Sequence, residues 1–260
     1  MFKGFYNLTS GMLTHGRHLD VISNNITNVA TAGFKADRFT GSTFQEVMWS
    51  LVGNKEKNYT ELGMQSWITA PSQLYTDFSQ ASFDETAQPL DFAIEDQDLD
   101  NFNRNGGVGF FAIQTNDGRA YTRNGNFSLD DEGFLVLPGQ GRVLDPSGSP
   151  IQLITDRIQT DDYGGLYTQD GTLLGRIGVF VFNDTEQLEK NAQGLFTANG
   201  QGTPTNVLVH HGMTERSNVD WVQQLSEMIS TQRAYQSAAE VIKIYDNVIN
   251  RDTTEVGRLT

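Results

Sequence analysis

The chain has no cysteine. Disulfide scaffolds, thiolate metal sites and cysteine nucleophiles are therefore excluded, while the compartment stays open. It also lacks any run of about 18 apolar residues, the length that spans a bilayer as a helix. Basic residues are scarce: 18 Lys and Arg stand against 32 Asp and Glu, giving a formal charge of −14 and a pI near 4.6. A nucleic-acid binder needs basic surface to neutralise phosphates, as does a protein drawn to an anionic membrane; the charge argues against both. The opening "MFKGFYNLTSGMLTHGRHLD" puts polar and charged residues where a cleaved signal peptide needs an apolar run. Any route out of the cytoplasm is expected to use no cleaved leader.

What the chain does have is a helical pattern at each end. Its 260 residues suffice for one large domain or two smaller ones. Near the N-terminus, Phe5, Leu8, Met12, His15, Leu19, Ile22, Ile26 and Val29 recur at alternating spacings of three and four, a heptad seam with one polar member. The spacing predicts a helix over about residues 3–31, roughly 42 Å long, with Gly33 placed to end it in a left-handed cap. Gly4, Gly11 and Gly16 weaken it; Gly4 and Gly11 share a face, which reads either as a place for another backbone to come close or as ordinary helix weakening.

Near the C-terminus a second stripe runs through Trp221, Leu225, Met228, Gln232, Tyr235, Ala239, Ile242, Asp246 and Ile249. Val222, Ile229, Val241, Tyr245 and Val248 widen it. Ser217 followed by Asp220 resembles a capping box at the start of this helix. So broad an apolar surface wants several neighbours, and the chain offers one other long helix.

The texture between the helices differs. Residues 34–85 carry scattered aromatics without a sustained period and read as extended or irregular. Over 88–212 short apolar runs such as "VGFFAIQT", "FLVL" and "LLGRIGVFVF" alternate with turn signals, among them Asp117-Gly118, Asn124-Gly125, Glu132-Gly133 and Asp170-Gly171. The expected fold class is α+β: long N- and C-terminal α-helices pairing as a coiled coil, with a central all-β domain. The expected divisions are an N-terminal helix (1–34), a connecting segment (35–87), a β-rich domain (88–212) and a C-terminal helix (213–260).

Several blocks carry a resemblance. "SGMLTHGRHLDVISNNITNVATAGFK", "PLDFAIE", "GFFAIQTNDGRAYTRNGNFSLDDEGFLV", "IGVFVFNDTEQLEKNAQGLF" and "RSNVDWVQQLSEMISTQRAYQSAAEVIK" resemble, in order, the N-terminal signature, central β-domain and C-terminal helix of the flagellar basal-body rod and hook protein family. The resemblance implies a structural rod subunit, exported by the flagellar type III apparatus and stacked into the hollow drive shaft that carries torque from motor to hook. It implies terminal helices lining an inner tube as a coiled coil, copies of the chain and other rod and hook subunits as partners, no cofactor, and a place in the basal body within the cell envelope. The total length and the lack of a large outer domain favour rod over hook.

On this reading the assembly interface is carried by both ends. The first helix contributes Phe5, Leu8, Met12, Leu19, Ile22, Ile26 and Val29, then Gly33 and Phe34. Beside that seam lie Asn24, Asn25 and Asn28, which either set register against neighbouring helices, as buried asparagine does in coiled coils, or serve as helix-end chemistry. The C-terminal segment contributes Ser217, Asn218, Val219, Leu225, Met228, Ile229, Gln232, Arg233, Tyr235 and Ile242.

One stretch departs from the family pattern. "DQDLDNFNRNGGV" stands where a glycine or two ordinarily lead into "GFF". Asp96, Asp98 and Asp100 alternate as in an EF-hand loop, but Asn101 and Gly107 replace the glycine and bidentate glutamate that such a loop requires. A weakly held calcium ion, a solvated hairpin tip, or a contact with a neighbouring subunit or the surrounding envelope are the readings. His15 and His18 lie three apart but no carboxylate completes a metal site, and adjacent His210 and His211 point to opposite faces of a strand. Paired carboxylates such as Asp130-Asp131 and Asp161-Asp162 fall in turns, and nothing selects two of them at glycosidase spacing. No catalytic, cofactor or metal site is expected, and no enzyme. The rival functions are a carbohydrate-binding β-domain using Trp49, Trp67 and Tyr75, which does not need the terminal seams, or a cell-wall hydrolase, for which the sequence offers no catalytic constellation.

Overall fold

The computed structural model describes residues 2–52, 59–96, 107–153, 155, 158–191, 193–198, 200 and 202–256. The chain divides into two compact units. One comprises Met1–Thr27, Asp37–Asp77 and Asp220–Thr260; the other comprises Asn28–Ala36 and Phe78–Val219.

The first unit contains helix α1 (Phe2–Thr27), strands β1 (Asp37–Val52) and β2 (Tyr59–Thr76), and helix α2 (Trp221–Val256). Helix α1 stops short of the expected residue 31. Its last residues are short and polar and compete for backbone groups: Thr27 Oγ1 donates to the Ser23 carbonyl at 2.8 Å. Beyond it, Asn28 accepts from the Thr31 amide at 3.1 Å, closing a turn. Helix α2 begins one residue after Asp220, whose Oδ1 accepts from the amides of Val222 at 2.9 Å and Gln223 at 3.1 Å. Asp220, not Ser217, is thus the cap. A carboxylate directly before the first turn satisfies its free amides and suits the helix dipole.

Strands β1 and β2 form one antiparallel hairpin in register from Asp37↔Thr76 to Val52↔Tyr59, with shifts between Thr40 and Gly41 and between Trp49 and Ser50. At about 3.3 Å per residue it is roughly 50 Å long. Most of the segment read as extended or irregular is therefore paired backbone. The two register shifts interrupt the pairing, and the sequence shows no sustained alternation.

The second unit is a β-domain. Strands β3 (Phe83–Glu85), β4 (Phe92–Glu95), β5 (Val108–Thr115) and β6 (Gly118–Thr122) are followed by the short β7 (Ser128–Leu129), β8 (Leu135–Leu137), β9 (Gly141–Val143), β10 (Gln159–Thr160), β11 (Gly165–Tyr167) and β12 (Leu173–Arg176). Then come β13 (Val179–Phe182), β14 (Leu188–Lys190), β15 (Phe196–Ala198), β16 (Thr203–Pro204), β17 (Leu208–His211) and β18 (Met213–Glu215). The main sheet runs β14-β15-β6-β5-β9-β8-β7, with β13 also bonded to β5 and to β16. Strand β17 pairs with β4 and β18 with β3.

Strand β5 explains the core. Phe111 and Ile113 pack into one cluster with Phe92, Ile94, Leu135 and Val143. Phe110 and Ala112 pack into a second with Tyr121, Leu144, Phe180 and Phe196. Burial on both faces makes "GFFAI" an unbroken apolar run. "LLGRIGVFVF" splits into β12 and β13 because Gly178 lies against the Asp145 backbone, where a Cβ would come within 2.7 Å. Asn124-Gly125 is no hairpin turn either. Gly125 lets the Phe92 carbonyl approach where a side chain would sit, and its own carbonyl accepts from the Phe92 amide at 3.0 Å.

Candidate functional site

Within the β-domain unit, the segment after α1 docks by three consecutive residues. Gly33 has φ +66°, and a Cβ there would lie 2.3 Å from the Arg123 carbonyl carbon. Its amide donates to the Glu215 carbonyl at 2.7 Å. Gly33 is left-handed as the sequence suggests, but it serves this close approach instead of capping α1. Phe34 is buried, with Lys190 Nζ 3.8 Å from the centre of its ring. The next side chain, Lys35, enters the interior.

Lys35 Nζ donates to Glu215 Oε1 at 2.7 Å and to the Ser79 carbonyl at 2.9 Å. Glu215 Oε1 also accepts from the Ala81 amide at 2.9 Å, and its Oε2 lies 3.4 Å from Arg123 Nη1. Arg123 Nη2 bonds Asp96 Oδ2, while its guanidinium rests over Phe110. The side chains of Lys35 and Arg123 are fully buried and that of Glu215 is 1% exposed. Two cations and two carboxylates thus balance, three of them buried and Asp96 partly exposed at 18%. Burial pushes the Lys35 ammonium below its ordinary value, Arg123 adds to this, and Glu215 opposes it. Asp96, read above as the start of an acidic loop, belongs to this cluster; Asp98, Asp100 and Asn101 lie outside the described residues. Asn218 completes the docking. Its Oδ1 accepts from the Ala36 amide at 2.7 Å, and its Nδ2 donates to the Ser79 carbonyl at 3.3 Å.

In the helical unit, α1 and α2 touch through pairs that run in opposite chain order, so the helices are antiparallel. Gly4 lies under the Tyr245 hydroxyl, Gly16 under the Tyr235 ring, His18 Nε2 lies 3.1 Å from Glu227 Oε1, and Asn25 Nδ2 lies 3.2 Å from Gln224 Oε1. Gly4 and Gly16 make room for tyrosine side chains, and a Cβ at Gly11 would meet none of the described residues within 4 Å. Asn25 is 1% exposed. Its Nδ2 donates to the Asp37 carbonyl at 2.8 Å and its Oδ1 accepts from the Asp37 amide at 3.0 Å. Asn28 Oδ1 accepts from Thr31 Oγ1 at 3.2 Å in the turn.

The expected interface residues distribute unevenly. Ile22 and Asn25 are buried in the helical unit, Leu8, Met12, Leu19 and Ile26 are half-buried, and Phe5 and Asn24 are exposed. Gly33, Phe34 and Val219 are buried in the β-domain unit, where Asn28, Val29, Ser217 and Asn218 are half-buried. On α2, Met228, Tyr235 and Ile242 are half-buried, whereas Leu225, Ile229, Gln232 and Arg233 are exposed. Buried Thr231 and the α1 contacts Gln224, Glu227 and Tyr245 place the inward stripe of α2 about one residue round from the apolar one. Polar side chains with partners can face inward, which an apolar count does not register. The result is an outward ridge: Trp221 is 46% exposed, Val222 74%, Leu225 41% and Ile229 46%.

Among the described residues, no cluster of three or more His, Asp and Glu is placed to hold a metal ion, and no helix is long and apolar enough to cross a membrane. His18 stacks on Phe39. His210 meets Glu95 at 2.7 Å and His211 meets the Pro89 carbonyl at 2.8 Å. Asp130 and Asp161 accept amides of their own turns. An open hollow of about 520 Å³, lined by Gln114, Asn116, Gln140 and Arg142 among others, contains no carboxylate or histidine. Tyr75 is exposed; the side chains of Trp49 and Trp67 lie outside the described residues.

Lys35, Arg123 and Glu215 were not singled out from sequence. The available signal was charge inside otherwise apolar or motif-dense blocks, "AGFK", "YTRNGNF" and "MTERSN".

Three family models match the chain. "Flagella basal body rod protein" covers residues 5–35, "Flagellar hook protein FlgE/F/G D1 domain" covers 106–208, and "Flagellar basal body rod FlgEFG protein C-terminal" covers 210–253. The chain is 31% identical to the flagellar basal-body rod protein FlgG of Bacillus subtilis, over 96% of this chain and 97% of the relative. It is 32% identical to the flagellar basal-body rod protein FlgF of Caulobacter vibrioides, over 100% and 98%. The flagellar hook-basal body complex protein FlhO of Bacillus subtilis is 30% identical over the full length of both.

Proposed function

The chain belongs to the flagellar basal-body rod protein family, and on that premise we propose that it is a structural subunit of the rod, built into the shaft through its terminal helices. In this reading α1 and α2 form a coiled-coil pair that neighbouring subunits extend. Its partners are copies of itself and other axial proteins, it reaches the basal body through the flagellar export apparatus, and its role is mechanical, without catalysis.

The observation that carries the reading is the outward ridge of α2. Trp221, Val222, Leu225 and Ile229 are exposed on a helix that already contacts α1. Full burial of a large apolar side chain contributes about 1.5–3 kcal/mol, and these partly exposed ones forgo part of it. A subunit surrounded by like helices recovers that energy on assembly, and its stability then rises with partner concentration.

Genetic complementation tests this. Deleting the gene is expected to stop assembly at the rod, and the intact gene to restore it. A chain carrying Leu225→Glu and Ile229→Glu is expected to fold and be exported but to restore neither rods nor swimming. Normal swimming from that double variant overturns the proposal.

A further inference from the structure

The β-domain unit is closed by the two segments of it that are farthest apart in the chain. Residues 208–218 are stitched onto the strands that precede β5: β17 on β4, β18 on β3, the Gly212 amide on the Asp91 carbonyl at 2.8 Å, and the Arg216 amide on the Ser82 carbonyl at 2.9 Å. The same segment carries Glu215, the partner of Lys35 across 180 residues of sequence. Beside it the Gly33 amide reaches the Glu215 carbonyl, and the Ala36 amide reaches Asn218.

Docking Lys35 without Glu215 would place an ammonium in the interior next to the Arg123 guanidinium, with Asp96 alone to balance both. An uncompensated buried charge is strongly unfavourable, whereas the complete set is tolerated. Docking Glu215 without Lys35 leaves one cation fewer, but Arg123 already faces that carboxylate. The asymmetry falls on the N-terminal segment: its seat becomes usable once Glu215 is in place.

We propose that Lys35, Arg123, Glu215 and Asp96 form a folding latch, by which the β-domain closes only when the segments following α1 and preceding α2 dock together as one event. The inference goes beyond the assembly role and does not depend on it. Its consequence is conformational: a chain whose C-terminal fifth is not yet available holds an open β-domain with 33–36 undocked. Once latched, the ends that lead to the two helices are fixed beside each other at Gly33, Ala36, Glu215 and Asn218.

Hydrogen exchange on the full-length chain tests the latch. In Glu215→Gln, protection at the Gly33 and Ala81 amides and at Phe110–Ile113 of β5 is expected to fall together, by about a hundredfold or more. In Lys35→Met/Glu215→Gln, Arg123 and Asp96 remain as a balanced pair, and most of that protection is expected to return. If Gly33 and Ala81 lose protection while β5 keeps it, the cluster holds only a local edge and the latch is overturned. It is also overturned if Glu215→Gln matches wild type, or if the double variant is no better protected than the single one.

Discussion

The carboxamide of Asn25 pairs with both backbone groups of Asp37, donating to its carbonyl at 2.8 Å and accepting from its amide at 3.0 Å. A side chain on α1 therefore acts as a neighbouring strand for the first residue of the hairpin, and its second donor position reaches Gln224 of α2. Two asparagines near the end of α1 have roles within the chain. Asn25 ties helix, hairpin and helix within one chain, and Asn28 builds the turn that ends the helix.

Asn25→Leu is expected to destabilise the helical unit by about 1–3 kcal/mol, because it removes the two hydrogen bonds that the buried carboxamide makes to the Asp37 backbone. The helical signal in circular dichroism should melt earlier, while exchange protection in the β-domain core is unchanged. An unaltered helical melt would contradict the pairing.

Gly33→Ala is expected to destabilise the β-domain by at least about 2 kcal/mol. The left-handed backbone alone costs an alanine roughly 1–2 kcal/mol, and the added Cβ meets the Arg123 carbonyl. Urea titration followed by near-ultraviolet circular dichroism measures it.

Asp161 supplies a pH dependence. Burial by itself would raise its carboxyl, but the amides of Gly165 and Tyr163, the Tyr167 hydroxyl and Arg176 together hold it below the ordinary carboxylate value. A carboxyl whose folded value is depressed stabilises fully above its unfolded value near ~3.9, and that contribution disappears as pH falls through the folded value. Asp161→Asn should therefore melt earlier than wild type near neutral pH, with the gap closing at acid pH below that range. A gap that widens in acid would refute the assignment.

How much was legible in the sequence follows from what each pattern depends on. Strand β5 could be read to the residue, since burial on both faces leaves an unbroken apolar run. The two helices were legible because their apolar spacing is long. Their ends were less so: Ser217 resembles a cap in sequence, but Asp220 is one residue nearer the free amides. The hairpin was hidden because its sequence shows no sustained alternation. The inward stripe of α2 was displaced because Gln224 and Thr231 are polar yet face inward. The ionic cluster was unreadable for a different reason: Lys35, Asp96, Arg123 and Glu215 are scattered over 180 positions, and only the fold brings them together.

The most direct test of assembly through the chain ends is sedimentation of the full-length protein over a range of concentrations, beside Leu225→Glu/Ile229→Glu. Wild type is expected to form larger species as concentration rises. The variant, with the same thermal melt when dilute, is expected to remain a monomer. A wild-type chain that stays monomeric throughout, or a variant that polymerises equally well, would contradict the role given to the α2 ridge.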